Sequence, residues 1–160
     1  MSRKDAIANA TRYFDSGDFR DELVRRVAMP TESQGGGKLD VLHDYLRDGI
    51  VPELEGLGFT ARIFDNPAAG RGPFLIAEWH ESDTLPTVLT YGHGDVVFGH
   101  ADAWRKGLDP WQVIVEGDRW YGRGTADNKG QHTINLAALA QVMAARDGKL
   151  GFNCKVLIEM

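Results

Sequence analysis

The sequence has a single cysteine, no long apolar run and no excess of basic residues, and each shortage excludes a class of protein. With only Cys154, no disulfide can form within the chain, which suits a reducing compartment. No run of 18 apolar residues is present to span a membrane, and residues 1–15 lack the apolar core of a signal peptide. The net charge of −5 disfavours a general nucleic-acid-binding protein. The sequence therefore predicts a cytoplasmic protein that binds neither membranes nor nucleic acids.

Enough apolar side chains are present for one folded core, because 42% of the residues are hydrophobic and 26% are charged. At roughly 150 residues per domain, a chain of 160 residues corresponds to about one domain. Glycine is abundant, with 19 residues against a typical share of ~7%. Eight of these glycines fall between Gly92 and Gly130, so this stretch is expected to need unusual backbone geometry.

Apolar periodicity predicts helices first, then strands on both sides of one long helix. Helices are predicted over residues 4–15, 19–28, 38–57 and 131–146, and strands over 59–64, 74–79, 87–91, 112–116, 119–121 and 153–159. Pro52 is expected to kink or divide the third helix. In the last helix, Ile134, Ala138 and Val142 are predicted to form one apolar row, which Leu139, Val142 and Met143 widen. Strands before and after a long helix indicate an α/β fold.

The first candidate site is the segment His93-Gly94-Asp95, which follows the apolar strand predicted at 87–91. In extended backbone the side chains of residues i and i+2 point the same way. An imidazole and a carboxylate so placed can form a metal ligand with its orienting partner, since the carboxylate accepts a hydrogen bond from the second ring nitrogen. The alternative is a His–Asp hydrogen bond that only closes the strand.

The second candidate site is the glycine-rich segment from Tyr121 to Gly130, which leads into the long helix. Asp127 precedes that helix, where free N–H groups favour a carboxylate. Two alternatives are a plain N-cap role for Asp127 and a loop that binds phosphate. The spacing of Gly122, Gly124 and Asp127 gives neither a Walker A motif nor a complete G-x-G-x-x-G, which disfavours phosphate binding.

Together the two segments resemble the M20 (aminoacylase/carboxypeptidase/dipeptidase) metallopeptidases. The resemblance covers most of the chain but is specific only over residues 87–160. Its matching segments, in order, are Gly92–Val97, Trp104, Asp109–Trp111, Gly122–Gly130 and Val156–Glu159. The tryptophan and Asp-Pro-Trp segment, with Asp-Asn-Lys-Gly, look most like the dipeptidase branch of the family.

For the fold, the resemblance implies an α/β, three-layer, zinc-exopeptidase-like catalytic domain with a central, mostly parallel or mixed sheet that is incomplete in this chain. Residues 1–160 would form the N-terminal portion of one catalytic domain. Within it, residues 1–57 would be a helical lead-in, and residues 58–160 would form the sheet and helix core that carries the metal-site loops.

For the site, the resemblance implies that His93 binds one of two divalent metal ions. Asp95 would be the catalytic group that holds the imidazole, and Asp127 would bridge both ions. Zinc is the expected metal, with manganese and cobalt left open. The Asp127–Asn128 bond occupies the place of a cis peptide in this family.

For function, the resemblance implies metal-dependent hydrolysis of an amide bond in dipeptides or N-acyl amino acids, by an enzyme that is a homodimer at full length. The family's general base follows the strand that ends at Glu159, so we expect the 160-residue chain to lack it and to be inactive alone. Glu159 is not expected to replace that base. Two alternatives stay open: a non-catalytic binding module that keeps the fold, and an N-deacylase similar to acetylornithine deacetylase.

Several neighbouring residues are expected to have structural roles. His132 is expected to be exposed or to cap the long helix, and Arg123 and Lys129 to support the glycine-rich turn. Cys154 alternates with other strand residues and is expected to be buried. Three tryptophans are expected to anchor the long loop to the core: Trp104, Trp111 and Trp120.

Overall fold

Helices occupy the first third of the chain in the computed structural model, which describes residues 3–35 and 38–160. They are α1 (Arg3–Asp15), α2 (Asp18–Val27), α3 (Leu39–Gly49) and α4 (Val51–Gly56). The helix predicted over 38–57 is thus divided, as Pro52 suggested. Ile50 leaves helical geometry with φ −121° and ψ −48°, and Pro52 lies in the first turn of α4, where its missing N–H has no helical partner to lose.

The strands lie where the alternation of apolar residues placed them. They are β1 (Thr60–Phe64), β2 (Phe74–Trp79), β3 (Thr87–His93), β4 (Ile114–Glu116), β5 (Arg119–Tyr121) and β6 (Asn153–Glu159), and helix α5 (Lys129–Ala145) precedes β6. Two boundaries differ in a way that matters for the site. Strand β3 runs two residues further than predicted and ends at His93, and α5 begins two residues earlier, at Lys129.

Four strands form one mixed sheet in the order β1-β2-β6-β3, while β4 and β5 form a separate hairpin. Strand β6 is antiparallel to β2 and parallel to β3. In this register His93 is paired with Glu159, so the carboxyl ends of the two parallel strands lie side by side. The α/β class and the mixed sheet predicted from the sequence are confirmed.

The main core lies between one face of the sheet and helices α3, α4 and α5. Its fully buried members include Leu46 and Leu54 from the helices and Leu75 and Ile158 from the strands. On the opposite face of β3, Leu89 is 64% exposed within the described residues. Leu89 on this face is therefore open to solvent among the described residues, while the opposite face of the sheet meets the helices. The proposed division at residue 57 stays a prediction, although α3 and α4 contribute directly to this core.

The buried face of α5 agrees only in part with the predicted one. Met143 is buried, and Leu139 and Val142 pack against the core, as predicted. Ile134, placed in the apolar row by its spacing, is 57% exposed, and Leu136, which lies outside the predicted set, is buried. The helix has alanine and other apolar residues around most of its circumference, so spacing alone did not select the face that meets the sheet. No helix in the described ranges has both the length and the apolar character needed to cross a membrane.

Candidate metal centre

The end of β3 is held between two other segments of the chain. On one side, the Gly94 amide donates to the carbonyl of Glu159 at 2.8 Å. On the other, the Val96 amide donates to the Thr31 carbonyl at 2.9 Å, and the Thr31 hydroxyl donates to the Gly94 carbonyl at 2.6 Å. His93 and Asp95 therefore project from backbone that is fixed on both sides.

His93, Asp95 and Asp127 come together, and we call these three residues the candidate metal centre. The His93 Nδ1 lies 3.1 Å from the Asp95 Oδ1 and 3.1 Å from the Asp95 carbonyl. The His93 Nε2 lies 3.1 Å from the Asp127 Oδ1. The Ser33 hydroxyl donates to the Asp95 Oδ2 at 2.6 Å, which fixes the second oxygen of that carboxylate.

Both nitrogens of the His93 ring face acceptors, but a neutral imidazole carries only one N–H. If Nδ1 donates to Asp95, the lone pair of Nε2 faces the carboxylate of Asp127, and two acceptors repel. A cation satisfies both, either as a proton on Nε2 or as a metal ion between the side chains. Two ligands at about 2.0 Å on a tetrahedral metal lie about 3.3 Å apart, close to the observed 3.1 Å. The donor set therefore fits a divalent ion.

The centre opens into a cavity of about 290 Å³ lined by Val96, Val97 and residues 122–127, as well as by its own three side chains. The Asp127 side chain is 88% exposed at its rim and that of His93 is 28% exposed. Across the described ranges, no group of three or more His, Cys, Asp or Glu side chains is arranged to hold a metal. The described residues thus bring two candidate ligands together, His93 and Asp127, rather than a complete site.

Glycines give the loop before α5 its shape. Gly124 has φ +88°, a left-handed conformation that other residues rarely adopt. A Cβ on Gly130 would lie 1.9 Å from the carbonyl oxygen of Thr125, so α5 meets the loop where a side chain cannot fit. The Asp127–Asn128 peptide is cis, as the resemblance implies. Asn128 stands at the N-cap of α5, which makes a plain N-cap role for Asp127 wrong.

The expectation for His132 is wrong, because this residue is 1% exposed. Its Nε2 lies 2.6 Å from the hydroxyl of Tyr45. Burial lowers the pKa of His132 to about 3, and the charges of Arg26 and Lys129 act in the same direction. The ring is therefore neutral. The sequence carried no signal for this, because the partner of His132, Tyr45, lies 87 residues away in the chain.

Lys129 is structural, as expected, although it donates to the end of α2 rather than to the glycine-rich turn. It is fully buried, and its Nζ donates to the carbonyls of Arg26 at 2.9 Å and Met29 at 2.6 Å. The Arg26 carbonyl lies in the last turn of α2 and the Met29 carbonyl lies two residues beyond its end, so Lys129 adds a donor where the backbone leaves the helix. Lys129 thereby fixes α2 to the start of α5.

Arg123 and the tryptophans hold the long loop. Trp104 Nε1 donates to the Gly99 carbonyl at 2.7 Å, and the Arg123 guanidinium lies 5.6 Å from the centre of the Trp104 ring. Trp120 stacks on Phe14 of α1 with the ring centres 5.8 Å apart. The aromatic side chains thus attach the loop at several points.

Cys154 of β6 is buried at 2% exposure, as predicted.

Comparison with known proteins identifies the family. The model of peptidase family M20/M25/M40 matches residues 89–159, which include the whole candidate metal centre. A cysteinylglycine-S-conjugate dipeptidase from Corynebacterium striatum is 31% identical over 118 residues, covering 73% of this chain and 25% of the relative. A succinyl-diaminopimelate desuccinylase from Gluconobacter oxydans (strain 621H) is 39% identical over 89 residues, covering 55% of this chain and 22% of the relative.

Among solved structures, human carnosine dipeptidase 1 superimposes with a TM-score of 0.82 at 26% identity, covering 98% of this chain and 34% of that one. The chain thus spans between 22% and 34% of the length of these three proteins. The residues matched by the family model include both glycine-flanked segments of the site, and the fold agrees with the solved structure over nearly the whole chain. The chain belongs to peptidase family M20/M25/M40 and forms part of that family's α/β catalytic fold.

Proposed function

We propose that the protein containing this chain is a metal-dependent hydrolase of amide bonds, in which His93 and Asp127 bind metal and Asp95 orients His93. The family implies dependence on a divalent metal. The observation that carries the proposal is the arrangement of acceptors around His93. Carboxylate oxygens lie 3.1 Å from both of its ring nitrogens, which leaves a cation as the natural occupant beside Nε2.

A bound divalent ion supplies Lewis-acid polarisation of an amide carbonyl and activation of water. The residues of this chain prepare for that chemistry. Asp95 accepts from Nδ1 and keeps the Nε2 lone pair directed at the cavity, and Ser33 holds Asp95 in place. Asp127 would contribute a second ligand, a carboxylate that lies 3.1 Å from the His93 Nε2 at the rim of the cavity. Zinc is the expected metal because one imidazole and carboxylate oxygens are among its common ligands.

The substrate class we propose is a dipeptide. Support comes from the dipeptidase of Corynebacterium striatum and from the fit to human carnosine dipeptidase 1 over 98% of the chain. An N-acyl amino acid is the second candidate, favoured by the higher identity, 39%, to a succinyl-diaminopimelate desuccinylase over a shorter stretch. A panel of dipeptides and N-acyl amino acids, offered to the complete protein, separates the two. The homodimer and the cytoplasmic location stay predictions.

The metal assignment is tested by calorimetric titration of the chain with Zn²⁺. We expect weak binding of a single ion, and its loss in His93→Ala and in Asp127→Ala. His80→Ala is the matched control, since His80 also lies beside a carboxylate, 3.0 Å from Asp83, but at an exposed position outside the centre. Binding that survives both changes at the centre, or that disappears in the control, contradicts the assignment.

We further propose that the chain alone does not turn over amide substrates. The described residues that line the cavity supply two metal ligands, His93 and Asp127, and none of them is free to act as the general base. The assay is hydrolysis of a dipeptide panel by the chain with added Zn²⁺. Turnover that a chelator abolishes would overturn this proposal. Metal binding by the complete protein, without turnover of any amide, would favour the binding-module alternative.

A further inference from the structure

The backbone on either side of His93 packs against a buried polar floor, which we define as Tyr45, His132 and Asn128. A Cβ on Gly92 would lie 3.0 Å from the Asn128 Oδ1, and one on Gly94 would lie 2.5 Å from the Tyr45 Cε1. A Cβ on Gly94 would therefore force the Tyr45 ring to move, and one on Gly92 would fit only if its neighbours gave by a few tenths of an ångström. The three floor side chains are 0%, 1% and 6% exposed, in the order given.

Hydrogen bonds link the floor into a chain that ends on the His93 backbone. The His93 amide donates to the Asn128 Oδ1 at 3.1 Å, and the same oxygen lies 3.4 Å from the His132 Nδ1. An oxygen acceptor at this position requires the proton of His132 on Nδ1, which leaves Nε2 to accept from the Tyr45 hydroxyl at 2.6 Å. Each nitrogen of the His132 ring thus has one partner. The donor and acceptor of every hydrogen bond are consistent from the Tyr45 hydroxyl to the His93 amide.

We propose that Tyr45, His132 and Asn128 are positioning residues that fix the direction of the His93 imidazole through its backbone. This inference rests on the proposed function, because it takes His93 as a metal ligand. The physical reason is the cost of an unpaired buried polar atom. Loss of the Tyr45 hydroxyl leaves the His132 Nε2 without a donor, so the ring and Asn128 relax, and the His93 amide loses a fixed partner.

The first test compares Tyr45→Phe with Tyr13→Phe, in which the same hydroxyl is removed from α1 outside the floor. With the metal-free chain, we expect Tyr45→Phe to shift the His93 amide resonance in ¹H–¹⁵N spectra and Tyr13→Phe to leave it in place. With Zn²⁺, we expect Tyr45→Phe to weaken binding about tenfold, the lower end of the effect of removing groups that orient a ligand. Binding is measured at a temperature where urea unfolding shows each variant to be folded.

A second pair guards against failure of Tyr45→Phe to fold. Asn128→Ala removes the oxygen that accepts from His93, whereas Gln131→Ala removes only the acceptor of the Asn128 amide group, 2.6 Å away. We expect the first to shift the His93 resonance and weaken Zn²⁺ binding, and the second to do neither.

The inference is overturned if Tyr45→Phe or Asn128→Ala lowers the free energy of unfolding but leaves both the His93 resonance and the Zn²⁺ affinity unchanged, because the floor then has a purely structural role. Failure of the wild-type chain to bind Zn²⁺ contradicts the proposed function instead. The positioning claim is then decided by the His93 resonance in the metal-free variants.

Discussion

Replacing Gly130 with alanine tests the tightest contact in the site. A Cβ at this position would lie 1.9 Å from the Thr125 carbonyl oxygen, against a closest real approach of 3.0 Å, so the two backbones must separate by at least 1.1 Å. Forcing a side chain into packed structure costs about 1–3 kcal/mol, and the upper end applies here because the obstacle is backbone. Alanine returns about 1 kcal/mol through its helix propensity. The expected result is a loss of about 2 kcal/mol.

The assay is urea unfolding of the wild-type and variant chains, with Gly56→Ala as the matched control. Gly56 ends α4, and a Cβ there would meet nothing within 4 Å, so the same change should be neutral or stabilising by up to about 1 kcal/mol. Gly130→Ala should also weaken Zn²⁺ binding, because the displaced loop carries Asp127. If Gly130→Ala is as stable as the wild-type chain, the loop is not fixed by this contact and the reasoning fails.

Three further predictions concern burial. His132 is neutral when folded and titrates near its ordinary pKa when unfolded, so the unfolded chain binds the extra proton and stability falls below pH 6.5, by at most about 1.4 kcal/mol per pH unit. His132→Gln should flatten the measured urea stability between pH 6.5 and 4.5, and an unchanged slope would refute the neutral ring. Leu136→Ala should cost about 2–5 kcal/mol and Leu89→Ala, at an exposed position, less than about 0.5 kcal/mol; equal costs would contradict the burial of Leu136. Cys154 should react with a thiol reagent in guanidinium but not in the native chain, and rapid native reaction would place it at the surface.

Local patterns predicted the elements of this fold because each pattern lies within one segment. The short apolar segments at residues 74–79 and 153–159 predicted strands with the observed bounds, and Pro52 marked a real break between helices. The face of α5 was predictable only in part, because Leu139, Val142 and Met143 pack on the core as predicted and Ile134 does not. Alanines and other apolar residues surround that helix, so the sheet selects Leu136 over Ile134 only when the tertiary structure forms.

In the candidate metal centre, too, contacts between residues close in sequence were predictable and contacts between distant residues were not. The pair His93 and Asp95 is local, and its mutual hydrogen bond follows from their spacing. Every other contact of the centre joins distant parts of the chain: Ser33 lies 62 residues from Asp95, and Asp127 lies 34 residues from His93. The motif of His93 and Asp95 alone therefore did not identify a metal site. The resemblance to a family supplied the pairing of His93 with Asp127, which their spacing in the sequence did not predict.

Gly92 and Gly94, on either side of His93, belong to a local sequence pattern and also make contacts with distant parts of the chain. In the sequence, Gly92 and Gly94 belong to the segment Gly92–Val97 that carries the resemblance. In the fold, a Cβ on Gly94 would lie 2.5 Å from the Tyr45 ring of α3, and one on Gly92 would lie 3.0 Å from Asn128 and His132 at the start of α5. Strand β3 and the backbone that follows it lie in this position only when α3 and α5 are packed against them. Metal binding by His93 and the packing of these three elements should therefore be coupled, since a ligand that binds only the native arrangement stabilises it.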